Sequence, residues 1–249
     1  MTPIHILVGE FLGCAFLVLF GNGVIANSLL TKSKGYNAGP LAMCTGWGFA
    51  VMGAVFVAKS AGSTEADLNP AVTIAKYLLG HAYQLSNLFP IMTAQFLGCF
   101  VGALLVWITY LPHWKATENP TTKLSAFSTA PAIHHAVSNL FAEIIGTAIL
   151  VFGIGAIFGK ATNNGDIPPS LSPYLVGVLV WAICLSLGGP TGAALNPARD
   201  LAPRLAHYIL PIAGKGTSDW KYSWVPVLGP MIGGVLGALL WRLDRKSVV

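Results

Sequence analysis

Long apolar runs alternate with short polar connections along most of this chain. Six runs approach or exceed the ~20 residues that a helix needs to cross a bilayer. They lie at about residues 4–30, 40–58, 88–111, 137–159, 171–188 and 224–242. Two further apolar segments, starting at Asn69 and Asn196, run for only about a dozen residues and are too short to cross as helices. The pattern predicts an all-α membrane protein with six transmembrane helices and two re-entrant half-helices.

The composition supports a lipid environment. Only 9% of residues are charged, against roughly 25% in an average soluble domain. The first run contains Glu10 and lacks a small-residue cleavage site, so we expect a retained helix. The 14 Lys and Arg residues are scattered, which argues against a nucleic-acid partner. No metal site and no cofactor are predicted, because no cysteine pair has ligand spacing and all four thiols fall inside apolar runs, at Cys14, Cys44, Cys99 and Cys184.

The sequence repeats itself. "EFLGCAFLVLFGNG" from Glu10 aligns with "EIIGTAILVFGIG" from Glu143, and "LNPAVT" from Leu68 aligns with "LNPARD" from Leu195. Each copy has three spans and one short helix. Because three is odd, the second copy enters the membrane from the opposite side, so the repeats are inverted. We expect one channel domain over 1–249, divided into a first repeat (4–111), a connecting loop (112–136) and a second repeat (137–242).

Both short helices begin with Asn followed by Pro. Asn caps free backbone N–H groups, and Pro at the first helical position loses no hydrogen bond. A single Asn-Pro is an ordinary helix start. Two copies at matched repeat positions indicate a shared role, with the two half-helices meeting near the midplane.

These motifs resemble the aquaporin family and, more narrowly, its glycerol-conducting aquaglyceroporins. The resemblance covers nearly the whole chain. The narrower match depends on "NPARDLAPR", with Asp200 and Arg204, on Pro226 and Val227 in the last span, and on Trp47 in "GWGFAV".

The resemblance implies an aquaporin-like bundle that forms homotetramers in the plasma membrane and conducts water and glycerol. It places the pore constriction at Asn69, Pro70, Ala71, Asn196, Pro197 and Ala198. It places the selectivity filter at Trp47, Cys184, Ala193 and Arg199. An arginine facing lipid at mid-bilayer would cost about 2.5–3.5 kcal/mol or more, so Arg199 is expected to face a lumen.

Three carboxylates need separate interpretation. Glu10 and Glu143 could relay protons, as intramembrane carboxylates often do, or could accept hydrogen bonds from the loops before the half-helices. The resemblance favours the second role. Asp200 is expected to pair with Arg204 or with backbone donors of its own loop.

The chain departs from the family at two places. Glycerol channels commonly have an aromatic residue where Ala193 stands, so we expect a wider filter that also admits dihydroxyacetone, urea or protonated lactic acid. Before the first box, Glu65 and Asp67 replace the usual Gly and His, in a stretch about two residues longer than usual that we assign to the loop. Asp67 could disfavour anions in a vestibule or could be a solvated loop acid.

The leading prediction is a passive channel for small neutral solutes that excludes ions and protons. The alternatives are a water-selective aquaporin and a proton-coupled secondary transporter, since broken helices and inverted repeats also occur in transporters. No enzyme is predicted, because no nucleophile has a base partner and no phosphate-binding motif occurs. Basic residues on the two sides number six and eight, so they do not fix orientation, although "WRLDRK" favours cytoplasmic termini.

Overall fold

A computed structural model describes residues 2–80, 83–159, 167–168 and 170–247, and its regular structure is helical throughout. In chain order the helices are α1 Ile4–Leu29, α2 Gly39–Ser60, α3 Pro70–Leu78, α4 Leu85–Thr109, α5 Leu111–Ala116, α6 Pro120–Ser125, α7 Ala136–Phe158, α8 Ser172–Leu187, α9 Pro197–Ile209 and α10 Val225–Ser247. No strand occurs among these described residues.

Six of these helices are the predicted spans. Five of them, α1, α2, α4, α7 and α10, are long and apolar enough to cross a membrane by length and composition. The sixth, α8, is apolar but has 16 residues, which gives a length of about 24 Å at 1.5 Å per residue. The predicted all-α architecture of six spans and two half-helices is confirmed.

The two half-helices, α3 and α9, begin with the same chemistry. The Asn69 side chain accepts from the backbone N–H of Ala71, and the Asn196 side chain accepts from those of Ala198 and Arg199. The proline of each motif occupies the first helical position, where its missing N–H costs nothing. The predicted caps are therefore present at both helix starts.

The backbone leading into each half-helix has an unusual conformation. Ala66 and Leu68 have φ of 47° and 55°, and the matched residues Ala193 and Leu195 have φ of 48° and 56°. This left-handed region costs a residue with a side chain roughly 1–2 kcal/mol. The same pair of positions, three and one before the capping Asn, is affected in both repeats.

The repeats pack crosswise. Within each repeat the first and third spans lie together, α1 on α4 and α7 on α10. Each half-helix packs against a span of the other repeat, α3 on α10 and α9 on α4, and α2 packs on α8. The two half-helices thus meet near the middle of the bundle, with their starts facing each other.

The segment between the repeats is more ordered than the predicted loop 112–136. It contains two short helices, α5 and α6, the second capped by the Asn119 side chain. Nothing in the sequence pattern indicated α6, because Pro120 and the Asn119 cap start a helical turn that is too short to give a periodic pattern. After α6 the chain turns inward, and Phe127 is fully buried.

Candidate functional site

A cavity of about 410 Å³ runs through the bundle between the half-helices. One end, which we call the Arg199 mouth, is lined by Trp47, Cys184, Ala193 and Arg199. The other end, the Lys76 mouth, is lined by Lys59, Glu65, Asp67 and Lys76. Trp47 and Lys59 are both on α2, and their twelve-residue separation corresponds to about 18 Å along the helix axis. The four filter residues inferred from the sequence therefore line one end of a single cavity.

Asn69 and Asn196 lie at the middle of this cavity. The Asn69 amide donates to the Leu195 carbonyl at 2.8 Å, and the Asn196 amide donates to the Leu68 carbonyl at 2.7 Å. Each amide oxygen accepts from its own helix start. Since an amide nitrogen carries two hydrogens, one N–H on each Asn is left for a molecule in the lumen.

Two contacts position the Arg199 side chain. Its guanidinium carbon lies 4.1 Å from the centre of the Trp47 ring, within cation–π range. Its Nη1 donates to the Phe127 carbonyl at 3.5 Å. The Trp47 ring itself packs on Gly21 of α1, where an added Cβ would lie 2.4 Å from the ring. Gly21 and Phe127 were missed by sequence reasoning, because a backbone carbonyl and a glycine carry no chemical signature.

Unpaired carbonyls continue from the centre toward both mouths. Within the described parts of the chain, the carbonyls of Thr64, Ala66 and Asp67 accept no hydrogen bond from the protein, and neither do those of Gly192, Ala193 and Ala194. All six residues line the cavity. Backbone acceptors without a protein partner need water or solute, so these loops can supply a row of acceptors along the lumen.

Glu10 and Glu143 are almost fully buried, at 0% and 1% exposure. The Glu10 carboxylate accepts from the backbone N–H of Asp67 and of Leu68, at 2.9 and 2.8 Å. Further donors to Glu10 are the side chains of Ser63 and Gln95.

Glu143 holds the matching loop of the second repeat. Its two carboxylate oxygens accept from the backbone N–H of Ala194 and of Leu195, at 2.9 and 3.0 Å. These are the hydrogen bonds that the loop-support interpretation requires. In each repeat the carboxylate accepts from the two residues directly before the capping Asn. Gln95 was missed by sequence reasoning, although a buried amide in an apolar span is itself a signal of a polar partner.

Asp200 is fully buried and holds two elements together. One oxygen accepts from Arg204 Nε and Nη2 at 3.0 and 2.8 Å. The other accepts from the backbone and hydroxyl of Thr129. The expected Arg204 partner is present, but Asp200 lies in α9 and not in a loop, and its backbone donor is Thr129 of the connecting segment. Arg204 Nη2 in turn donates to the Thr129 carbonyl at 2.7 Å.

Asp67 is buried and paired, so its interpretation as a solvated loop acid was wrong. Its side chain is 0% exposed and one oxygen lies 2.6 Å from Lys76 Nζ. The other oxygen accepts from the Tyr83 hydroxyl at 2.8 Å. Burial, and then the Asp67 charge, raise the pKa of the Tyr83 phenol, so the phenol stays protonated and donates. No spacing in the sequence indicates this pairing, since Lys76 is nine residues away on a separate element.

Comparison with known proteins agrees with this arrangement. The model of the major intrinsic protein family matches residues 2–241. The chain belongs to the major intrinsic protein family. Members of this family are passive channels and not enzymes.

Individual relatives narrow the comparison. A Thermotoga maritima protein named "Probable glycerol uptake facilitator protein" is 51% identical over 238 residues, covering 95% of this chain and 98% of the relative. A Lactiplantibacillus plantarum protein named "D/L-lactic acid transporter" is 41% identical over 239 residues, covering 94% and 95%. The X-ray structure of the aquaglyceroporin from Plasmodium falciparum superposes with a TM-score of 0.85 at 28% identity, covering 98% of each chain.

Proposed function

We propose that this major intrinsic protein is a passive channel that conducts glycerol, other small neutral solutes and water while excluding ions and protons. The observation that carries the proposal is one continuous cavity that links the four filter residues, the paired asparagines and the Lys76 mouth. The names of the Thermotoga relative and of the Plasmodium structure support glycerol as a solute.

The constriction at Asn69, Pro70, Ala71, Asn196, Pro197 and Ala198 would exclude cations by electrostatics. Each helix start carries roughly half a positive elementary charge, so the two facing starts of α3 and α9 together place about one positive elementary charge at the centre of the cavity. The free N–H of each Asn would donate to a passing oxygen. A solute that crosses must therefore be neutral and able to accept hydrogen bonds.

The filter at Trp47, Cys184, Ala193 and Arg199 would choose among neutral solutes. Arg199 donates to a hydroxyl oxygen, and the Trp47 ring offers an apolar wall for carbon atoms. Ala193 leaves open the space that an aromatic side chain occupies in many glycerol channels. We therefore include dihydroxyacetone, urea and protonated lactic acid among the solutes. The name of the Lactiplantibacillus relative supports the last of these.

Glu10, Glu143 and Asp200 would serve as loop supports and not as proton carriers. Their oxygens are engaged by backbone N–H groups, by Arg204 and by neutral side chains. A buried carboxylate saturated with donors in this way holds a strained loop in place. A carboxylate that loaded and released protons would need an unpaired oxygen facing the lumen.

We further propose a homotetramer in the plasma membrane with both termini in the cytoplasm, and one channel domain composed of the two repeats. Each subunit contains its own complete cavity, so association would serve stability and not pore formation. Membrane lipids would surround the exposed apolar faces of the assembly.

The test is flux through purified protein in liposomes, followed by stopped-flow light scattering under glycerol, dihydroxyacetone, urea and sucrose gradients with a pH dye inside. We expect rapid, non-saturating glycerol entry, no sucrose entry and no proton leak. Fast water without glycerol entry would replace the proposal with a water-selective aquaporin. Saturable, proton-linked entry would replace it with a secondary transporter.

A further inference from the structure

The Lys76 mouth contains a cluster of charges that the proposed channel function does not use. Lys76 Nζ lies 2.6 Å from an Asp67 carboxylate oxygen and 2.9 Å from a Glu65 carboxylate oxygen. The same ammonium donates to the Glu65 main-chain carbonyl at 3.1 Å. Of the three donors of this ammonium, two are hydrogen-bonded to Glu65, and the Asp67 carboxylate lies beside it as a counter-ion. Lys76 is therefore tied to the loop by both acidic residues.

The two carboxylates would attract cations if Lys76 were absent. Asp67 is fully buried and the Glu65 side chain is 33% exposed, so both are only partly solvated. Two neighbouring acids without a counter-ion would hold a small cation in the mouth. The tethered ammonium of Lys76 occupies that place and compensates part of their charge.

Lys76 also determines which backbone carbonyls of the loop before α3 are free to accept hydrogen bonds from a solute. The Thr64 and Ala66 carbonyls on either side of Glu65 are free to face solute, whereas the Glu65 carbonyl is taken by Lys76. The loop must hold Ala66 at φ 47° without the help of a glycine. A bridge from α3 to this loop, at the residue before Ala66, fixes the direction of the carbonyls on both sides.

The cluster belongs to one mouth only. The second repeat has Gly192, Ala194 and Pro203 at the places matched to Glu65, Asp67 and Lys76, counted from the capping asparagines. In addition to Glu143, the connecting segment tethers this loop through the bond from the Ala132 N–H to the Pro190 carbonyl. The charges are therefore not required by the repeat architecture.

We propose that Lys76 is a positioning residue of the Lys76 mouth: it acts as a built-in counter-ion that keeps Glu65 and Asp67 from binding cations and orients the loop carbonyls for neutral solutes. This inference depends on the proposed channel function. It adds a specificity determinant at the end of the lumen opposite Arg199.

The test is chemical rescue in liposomes. Lys76→Ala removes the ammonium and leaves room in a part of the cavity that solutes can reach. We expect glycerol permeability to fall by roughly tenfold, equivalent to about 1.4 kcal/mol of added barrier. Millimolar methylammonium should restore most of the rate, because it supplies the missing charge and N–H donors. Tetramethylammonium, which has the charge but no donors, should not restore it.

Two matched variants separate charge compensation from packing. Lys59→Ala removes an exposed lysine of the same mouth whose side chain forms no hydrogen bond or ion pair with the described residues. Its glycerol flux should not respond to methylammonium, because Glu65 and Asp67 keep Lys76 as their counter-ion. The triple variant Glu65→Gln, Asp67→Asn, Lys76→Met removes the three charges of the cluster and keeps Lys59. It should fold and conduct glycerol without responding to methylammonium, even if Lys76→Ala alone fails to fold. Its rate should stay below that of the wild type, because the bridge to the Glu65 carbonyl is missing.

The outcomes are distinct. Glycerol flux through Lys76→Ala at the wild-type rate, loss of flux that methylammonium does not restore, or a triple variant that does not conduct would each overturn the role of Lys76. Wild-type protein that fails to conduct glycerol in the same vesicles would instead overturn the proposed function.

Discussion

Arg199 shows at the residue scale how a charge is tolerated inside an apolar bundle. Its guanidinium stacks on Trp47 and reaches the Phe127 carbonyl, and the residue lines the cavity. None of these contacts is a countercharge. The side chain therefore keeps its positive charge available to the lumen, which is what cation exclusion at a filter requires.

Ala193 sets the width of the proposed filter. We expect Ala193→Phe to lower dihydroxyacetone and lactic acid permeability by roughly tenfold relative to water, because the ring would fill the space beside Trp47. Stopped-flow measurements on the same liposomes would give the ratio. Ala193→Gly is the matched control, since glycine accepts the φ of 48° and adds no bulk. Unchanged permeability to the larger solutes in Ala193→Phe would contradict a role for this position in the filter.

Glu143 tests whether the buried carboxylates support loops or carry protons. In Glu143→Gln, only one acceptor oxygen remains for the two backbone N–H groups that now donate to the carboxylate. We expect the free energy of unfolding to fall by about 1–3 kcal/mol. Thermal unfolding in detergent should show a lower Tm. The remaining glycerol flux should stay independent of a proton gradient. A normal Tm together with loss of a proton-driven uptake would support the transporter instead.

At the scale of elements, the spans come together where glycines allow close approach. On α4, a Cβ at Gly102 would lie 2.5 Å from the Ala15 carbonyl of α1. On α10, a Cβ at Gly237 would lie 2.5 Å from the Ala148 carbonyl of α7. The two contacts are matched between the repeats, so the inverted symmetry extends to helix packing.

Gly102→Ala should separate α1 from α4. We expect overpacking to lower the free energy of unfolding by about 1–3 kcal/mol, which would be measured as a lower Tm in detergent. Gly23→Ala is the control, because Gly23 lies inside α1 with nothing within 4 Å of an added Cβ. That control should be neutral or slightly stabilising, since alanine favours a helix. Equal effects of the two substitutions would refute the close-packing explanation.

The sequence predicted the spans and half-helices better than the segments between them. Apolar length is a local signal that was sufficient to predict the spans, and the Asn-Pro starts were sufficient to predict the half-helices. The short helices α5 and α6, the Asp67–Lys76 pair and the Thr129 contacts of Asp200 were not predicted. Each depends on residues that come together only when separate elements pack.

At the scale of the whole molecule, the crosswise packing makes the two repeats dependent on each other. α3 lies on α10 and α9 lies on α4, so neither half-helix is held by its own repeat alone. The cross-repeat bonds from Asn69 to Leu195 and from Asn196 to Leu68 add to this dependence. The lumen exists only when both repeats are assembled.

The inverted topology predicts which residues share a side of the membrane. Lys59 lies at the end of α2 on the side of both termini, and Lys115 lies in α5 on the other side. With cytoplasmic termini, a membrane-impermeant maleimide applied to intact cells should label Lys115→Cys and not Lys59→Cys. Wild-type protein, whose cysteines all lie within helices, gives the background. The reverse labelling would show that the termini face outward.

The sequence alone determined the number of spans, the two half-helices and their inverted relation, because apolar length and repeated motifs are properties of neighbouring positions. Only the tertiary structure decided how the loops before α3 and α9 are bent and held. Alanine and leucine at positive φ give no local signal; they adopt it because Glu10 and Glu143 accept hydrogen bonds from the loop backbone. The pairing of Asp67 was likewise decided by packing, since α3 brings Lys76 against it.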